Sequence, residues 1–216
     1  MEKAGKRKFT FDAMAQLEEP PSVGGSATMA VTLDSNLGAA TYSSSGTVTE
    51  ANQELKDSTA GSQDQLGWDD TLSISSKTLK NGTPVTIGVR LVVSPTTTNV
   101  ACDSQQNSYG ALSFYMPNAS SPRGPFQING ECDNGTFVYV IGNGKQKGTT
   151  IDGTISTAVG DSESIAALVE VTTQACNPAN ACVGTYTAAL AGSYRFRITS
   201  ITSGATYTTA SGKTYE

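Results

Sequence analysis

Short segments in which apolar and polar residues alternate run through most of this chain. The clearest is Pro84–Ser94, where every second residue from Val85 to Val93 is apolar. A period of two places alternate side chains on opposite faces of a strand, so this spacing predicts a strand with one buried face. The turn-forming pair Asn81-Gly82 stands in front of it and predicts a hairpin in which Asp70–Ser76 is the partner strand.

Similar segments, rich in Val, Ile, Thr and Tyr and separated by turn residues, predict further strands and no long helix. We expect Asn52–Gln65 to be a polar surface loop, residues 1–25 a flexible leader and residues 26–216 one domain. About ten to twelve strands in one domain predict an all-β fold, a β-sandwich of jelly-roll type. The other predicted strands are Ser26–Leu33, Ala39–Ser44, Gly110–Met116, Phe126–Asn129, Thr136–Ile141, Ser164–Thr173, Val183–Leu190, Tyr194–Ile201 and Ala205–Tyr215.

Composition narrows the classes of function. The 216 residues include no histidine, which excludes Ser-His-Asp and Cys-His nucleophiles and every metal site that needs imidazole. A net charge of −5 gives no basic footprint for nucleic acid. No apolar run approaches the ~18 residues that a helix needs to cross a bilayer. We therefore expect no hydrolase or transferase activity, no nucleic-acid partner and no membrane span in this sequence.

The four cysteines do not have the spacing of a zinc site and predict two disulfides in an exported protein. Four cysteines allow three connectivities, and pairing between sequence neighbours is favoured. Cys176 and Cys182 enclose a turn rich in Pro and Asn, and Cys102 and Cys132 each stand beside a turn signal. The expected bridges are therefore Cys102 to Cys132 and Cys176 to Cys182.

Two kinds of residue are candidates for ligand binding. The pairs Asp69-Asp70, Asp133-Asn134 and Asp152-Gly153 could offer oxygen ligands to calcium, although none fits the calcium-loop pattern and turn formation is the favoured interpretation. Trp68 is the single tryptophan. If its indole is exposed beside Asp69 and Asp70, it could stack on a sugar ring. The favoured interpretation is that Trp68 fills space in the core or at a sheet edge. No cofactor is expected.

Three stretches of the chain resemble the bacterial exoproteins that carry a PEP-CTERM sorting signal. They are Ala30–Ala40, then Trp68–Ile74 followed by Asn81–Ile87, and Ile201–Tyr215, the last containing a Gly-Ala-x-Tyr-x-x-x-Ser-Gly segment. The Pro-Glu-Pro motif and the apolar tail of such proteins do not occur in this sequence. The resemblance implies a surface or matrix protein of an exopolysaccharide-producing bacterium, with a β-sandwich and no catalytic residues.

These observations together predict a non-catalytic, extracellular or cell-surface structural domain. Its expected partners are exopolysaccharide, other matrix proteins or further copies of itself. Self-association would use unguarded strand edges, in particular Phe9–Leu17 and Ala205–Tyr215. The alternatives are a carbohydrate-binding module or weak glycosidase, and a virion or filament subunit.

Overall fold

The structure is a computed structural model that describes residues 6–16, 25–50, 59–102, 108–144, 146–175 and 184–215. Within these ranges the chain forms strands, turns and loops, and the ladders between strands are antiparallel. The all-β prediction is confirmed. The strands are β1 (Lys6–Gln16), β2 (Gly25–Asn36), β3 (Ala39–Glu50), β4 (Thr59–Ser76), β5 (Pro84–Asn99), β6 (Ser108–Ser121), β7 (Gly124–Asp133), β8 (Thr136–Ile141), β9 (Gln146–Lys147), β10 (Thr150–Ala158), β11 (Ser162–Ala175), β12 (Gly184–Ile201) and β13 (Ala205–Thr209).

The described strands belong to one hydrogen-bonded sheet. Its main path runs β1-β4-β11-β6-β10-β5-β12-β3-β2. β13 pairs with β4, and β7, β8 and β9 extend from β6 as a branch. The pairing between neighbouring strands is shortest at β6 and β10, where only Ser120 and Thr154 are in register. Strands far apart along the path are therefore free to turn toward each other at this point.

The sheet is strongly curled, because strands that are not neighbours in it touch through their side chains. Ser44 Oγ of β3 lies 2.6 Å from Thr173 Oγ1 of β11, and both residues are buried. The rings of Phe114 in β6 and Tyr194 in β12 have centroids 5.3 Å apart. One face of the sheet thus wraps around the core, and the other face is turned outward.

The alternating pattern of the sequence explains which face is inside. In β5 the apolar positions from Val85 to Val93 are buried, and the positions between them are exposed or half-buried. β11 repeats the pattern from Ile165 to Ala175. Burial of apolar surface contributes about 25 cal/mol per Å², so this continuous inner face is the main source of stability.

Several element predictions need correction. β5 pairs with β10 and β12, and not with Asp70–Ser76, so the predicted hairpin is wrong. Asn81-Gly82 still forms a tight turn, closed by a hydrogen bond from Thr83 N to Lys80 O. Thr59–Gln65, predicted as part of a surface loop, is strand and lies between β1 and β11.

Strands near both ends of the chain pair with β4. Lys6–Gln16 forms β1 against β4, and Ala205–Thr209 forms β13 against the far end of the same strand. The division into a leader of residues 1–25 and a domain of residues 26–216 stays a prediction, which hydrogen exchange of the first 25 amides would test.

Candidate functional site

Trp68 lies in the core and not on the surface. It is 2% exposed and packs between two other aromatic rings. Tyr215 stacks on it with an interplanar angle of 20°, and Phe196 of β12 lies on it at 47°, each with ring centroids 5.5 Å away. Trp68 therefore joins β4, β12 and the carboxyl-terminal segment into one aromatic cluster.

Asp70 is the polar centre of the same region. It is 3% exposed, and its carboxylate accepts hydrogen bonds from four donors of the chain. Thr71 N and Ser211 N bind Oδ1 at 2.8 and 3.2 Å, and Ser211 Oγ and Tyr215 Oη bind Oδ2 at 2.5 and 2.6 Å. A buried carboxylate is tolerated when its oxygens are satisfied in this way. Asp70 thus fastens residues 211 to 215 to β4.

The segment after β13, residues 210–215, forms a latch across one end of the core. It begins at Ala210, whose N–H bonds Thr71 O at 2.9 Å, and ends where Tyr215 O accepts a bond of 2.8 Å from Ile198 N. Lys213 Nζ donates to Leu37 O in the β2–β3 turn. The latch therefore connects β4, β12 and the turn between β2 and β3.

Gly38 provides the space in which the Tyr215 ring sits. This residue has φ +79° in the β2–β3 turn, and a Cβ placed on it would lie 2.8 Å from Tyr215 Cδ1. Glycine is the residue that adopts this backbone conformation without strain. The turn and the latch therefore depend on each other.

Three buried tyrosine hydroxyls resist ionisation. Burial is the main cause that raises the pKa of Tyr42, Tyr194 and Tyr215 above the ordinary value of 10.0. Hydrogen bonding to Tyr139 adds to the rise at Tyr42, and hydrogen bonding to Asp70 adds to it at Tyr215, whereas the Trp68 indole opposes part of it at Tyr194. These hydroxyls are therefore neutral near neutral pH, and that of Tyr215 donates to Asp70.

The predicted ligand-binding residues thus lie close together, but Trp68 and Asp70 are buried. Asp69 follows Trp68 in β4, is half-buried and stands opposite Ala166 of β11. A sugar ring could reach the indole face only after Tyr215 had moved away. Ligand binding by Trp68, Asp69 and Asp70 stays a prediction.

Cys102 and Cys132 form a disulfide with a Cα–Cα distance of 5.4 Å. The bridge ties the segment that follows β5 to the end of β7, in agreement with the pairing predicted from the sequence. Cys176 and Cys182 lie outside the described residues, so their pairing stays a prediction.

The other acidic pairs are used to hold strands and turns. Asp152-Gly153 does not form a turn but lies inside β10, where Asp152 pairs with Arg90 of β5. Asp133 pairs with Lys147 at 2.9 Å, and Asn134 follows it in the β7–β8 turn with φ 50°. Among the described residues, no three His, Cys, Asp or Glu side chains are grouped as a metal site would require.

A shallow cleft of about 500 Å³ lies beside β13. Its walls are Ile201, the strand Ala205–Thr209 and residues 212–214 of the latch. The lining combines threonine hydroxyls with Ile201, Ala205, Tyr207 and Lys213. Among the described residues that line the cleft there is no carboxylate.

Three arginines lie close together on the outer face of β5 and β12, and the sequence alone did not predict that they would be neighbours. Arg195 and Arg197 point outward on β12, and Arg90 of β5 stands directly opposite Arg197. Alternation alone shows that each arginine faces out. Their proximity depends on the β5–β12 pairing, for which the sequence carries no local signal.

Comparison with known proteins assigns the chain to no family. No protein-family model matches it, and no curated protein matches it. One solved structure, titled "Pore forming protein", aligns over 93% of this chain and 94% of its own length, with 9% sequence identity and a TM-score of 0.24. At those values the alignment carries no argument about fold or function. No helix in the described ranges has the length and apolar character needed to span a membrane.

Proposed function

We propose that this chain is a non-catalytic structural domain of an extracellular matrix or cell surface, and that its copies associate through the two ends of the sheet. The observation that carries the proposal is that β1 and β2 are not paired with each other. We call the boundary between these two strands the β1–β2 seam. These strands end the path of the sheet and lie near each other, yet they form no ladder. One side of each strand therefore has no strand partner among the described residues.

The backbone of β2 shows what this side offers. β2 and β3 form a hairpin with a two-residue loop, in which Asn36 pairs with Ala39. The pair that flanks such a loop is hydrogen-bonded, and hydrogen-bonded pairs then recur at every second residue. The N–H and C=O groups of the alternate residues, among them Met29, Val31 and Leu33, are therefore directed away from β3. A strand from another copy could bind there by augmentation.

The edge lacks the usual protection against pairing. Residues 25–36 contain no proline, no lysine and no arginine, which are the residues that commonly block the edge of a sheet. Asp34 is the one charged residue of the strand. A long edge without such residues favours association with other strands.

Other features agree with an extracellular structural role. The Cys102–Cys132 disulfide is typical of oxidising compartments. The carboxylates of Asp70, Asp133 and Asp152 are all bonded to groups of the chain itself. The resemblance to PEP-CTERM exoproteins has the same implication.

We retain the jelly-roll sandwich as the finer description of the fold, supported by contacts across the core from β3 to β11 and from β6 to β12.

Sedimentation velocity over a concentration series tests the proposal. Val31→Pro removes an N–H that faces away from β3, so it blocks an incoming strand and leaves the β2–β3 ladder intact. Val31→Ala is the matched control for loss of the side chain. We expect wild type and Val31→Ala to form concentration-dependent oligomers and Val31→Pro to stay monomeric, with unchanged circular dichroism. A wild-type monomer at every concentration, or a Val31→Pro variant that associates like wild type, would contradict the proposal.

A further inference from the structure

The sequence contains four Asn-Gly pairs, and the structure gives them different surroundings. An asparagine followed by glycine can lose its side-chain amide without an enzyme, because the glycine nitrogen can attack the asparagine side-chain carbonyl and no Cβ hinders its approach. Asparagine is therefore a thermolabile residue. The pairs are Asn81-Gly82, Asn129-Gly130, Asn134-Gly135 and Asn143-Gly144. Because the reacting dipeptide is the same in each, their local structure has to distinguish them.

Three of the four glycines are held through their backbone. Gly82 N donates to Val159 O at 2.8 Å. Gly144 N donates to Ile141 O at 3.3 Å. Gly130 lies inside β7 and is in register with β6 on one side and with β8 on the other. A nitrogen held in this way has to leave its place before it can attack a side chain, so local opening must come first.

Gly135 is in a different position, at the tip of the β7–β8 hairpin. Asp133 pairs with Thr136 across a two-residue turn, in which Asn134 has φ 50° and Gly135 has φ 79°. Two successive residues with positive φ are typical of the type I′ turn, which is closed by hydrogen bonds between the residues that flank it. Within the described part of the chain, Gly135 N has no hydrogen-bond acceptor, and Asn134 and Gly135 are both exposed.

We propose that Asn134 is the residue at which the folded chain deamidates. Gly135 N forms a bond to Asn134 Cγ while the bond from Cγ to Nδ2 breaks, and the amide leaves as ammonia together with the proton of Gly135 N. A water molecule then opens the resulting succinimide ring. Addition of water at Cγ gives aspartate, and addition at the backbone carbonyl gives isoaspartate. Water is the co-reactant, and no group is oxidised or reduced.

Both products change the tip of the hairpin. Asn134 Nδ2 donates to Asp133 Oδ1 at 2.9 Å, and Asp133 Oδ2 lies 2.9 Å from Lys147 Nζ. Aspartate at position 134 replaces that donor with a second negative charge beside Asp133. Isoaspartate carries the main chain through the side-chain carbon, so it lengthens a turn that is built from two residues. Deamidation is thus a permanent change in both charge and backbone at this position.

Peptide mass spectrometry of the full chain tests the inference, after incubation in mildly alkaline water enriched in the heavy oxygen isotope. We expect heavy oxygen to enter the folded chain at Asn134, in aspartate and isoaspartate products. The same incubation in urea with reductant gives the rate of each pair without structure. In the folded chain Asn134 should react within about threefold of its rate in urea, and the other three pairs at least about tenfold more slowly than in urea, because their backbone has to open first.

Two matched variants assign the reaction to one turn. Asn134→Asp and Asn81→Asp each replace an exposed asparagine of a tight turn and add the same charge. Ammonia released by the folded chain should fall about tenfold in Asn134→Asp and stay unchanged in Asn81→Asp, since Gly82 N remains held. The inference is overturned if Asn134 reacts no faster than the other three pairs in the folded chain, if Asn81 or Asn143 reacts first, or if the folded chain does not react at Asn134.

Neither result depends on the proposed function. The β7–β8 turn lies on the branch that extends from β6, whereas the proposed association uses β1 and β2 at the ends of the main path. Sedimentation of the Asn134→Asp variant should therefore match that of wild type.

Discussion

At the scale of single residues, Tyr215 has two separable roles, one through its hydroxyl and one through its ring. Tyr215→Phe removes one of four donors to Asp70 and should lower the free energy of unfolding by about 1–2 kcal/mol. Tyr215→Ala also uncovers Trp68 and should cost about 3–5 kcal/mol. Urea unfolding measures both. Because Trp68 is the single tryptophan, its emission should shift to the red in Tyr215→Ala and stay unchanged in Tyr215→Phe. Equal emission in the two variants would show that Tyr215 does not cover the indole.

The backbone at Gly38 provides a second test of the latch. Gly38→Ala places a Cβ against the Tyr215 ring and strains a φ of +79°. Gly82→Ala strains a φ of +80° with no atom within 4 Å of the added Cβ, so it isolates the backbone contribution. A left-handed conformation costs a non-glycine residue about 1–2 kcal/mol. We expect Gly82→Ala to lose that amount and Gly38→Ala clearly more in thermal or urea unfolding. Equal losses would argue against the contact between the turn and the latch.

The buried tyrosines predict a loss of stability in alkaline solution. Each folded-state pKa is raised above the ordinary 10.0, so above pH 10 the unfolded chain releases protons that the folded chain retains. The stabilising effect is therefore complete below pH 10 and declines as the pH rises further, with a slope approaching one proton for each tyrosine. Tyr194→Phe should reduce this slope by about one proton in urea unfolding between pH 9 and 11.5. An unchanged slope would mean that Tyr194 titrates normally in the folded chain.

At the scale of elements, the Cys102–Cys132 bridge closes a loop with a sequence separation of 30. The chain-entropy model gives about 3.5–4 kcal/mol for a loop of that size. Cys102→Ser/Cys132→Ser should therefore unfold at lower urea concentration by an equivalent amount, and reductant should shift wild type toward the variant. If the variant is as stable as oxidised wild type, the bridge does not hold β7 to the segment after β5.

The strand pattern predicted elements far better than it predicted their partners. Alternation identified β5 from Pro84 onward because one of its faces is buried throughout. The choice of β10 and β12 as its neighbours depends on packing across the whole sheet, and a local turn signal at Asn81-Gly82 carries no information about it.

Among the described strands, Thr59–Gln65 and β10 escaped prediction for specific physical reasons. Thr59–Gln65 is polar, and backbone bonds to β1 and β11 hold it without an apolar pattern. β10 was not predicted because Asp152-Gly153, which lies inside it, is a pair typical of turns. Gly153 is needed there because a Cβ would collide with the Phe126 ring and with Ser120 O.

At the scale of the whole molecule, the candidate site could be predicted only in part. The sequence placed Trp68, Asp69 and Asp70 side by side, since they are consecutive, and indicated a plug as the favoured role of the indole. The cover over them comes from Tyr215, 147 residues after Trp68, and depends on the path of the latch. The proximity of Arg90 to Arg197 likewise depends on the pairing of β5 with β12.

The central claim is that copies of this chain associate by pairing at the β1–β2 seam. Hydrogen exchange of the β2 amides, at low and high protein concentration, tests it most directly. The amides of Ala27, Met29, Val31, Leu33 and Ser35 face away from β3, whereas those between them bond β3 at every concentration. We predict that protection of the outward set rises with concentration, in a period of two, and that the inward set stays protected throughout. Protection of the outward set that is independent of concentration would contradict the account.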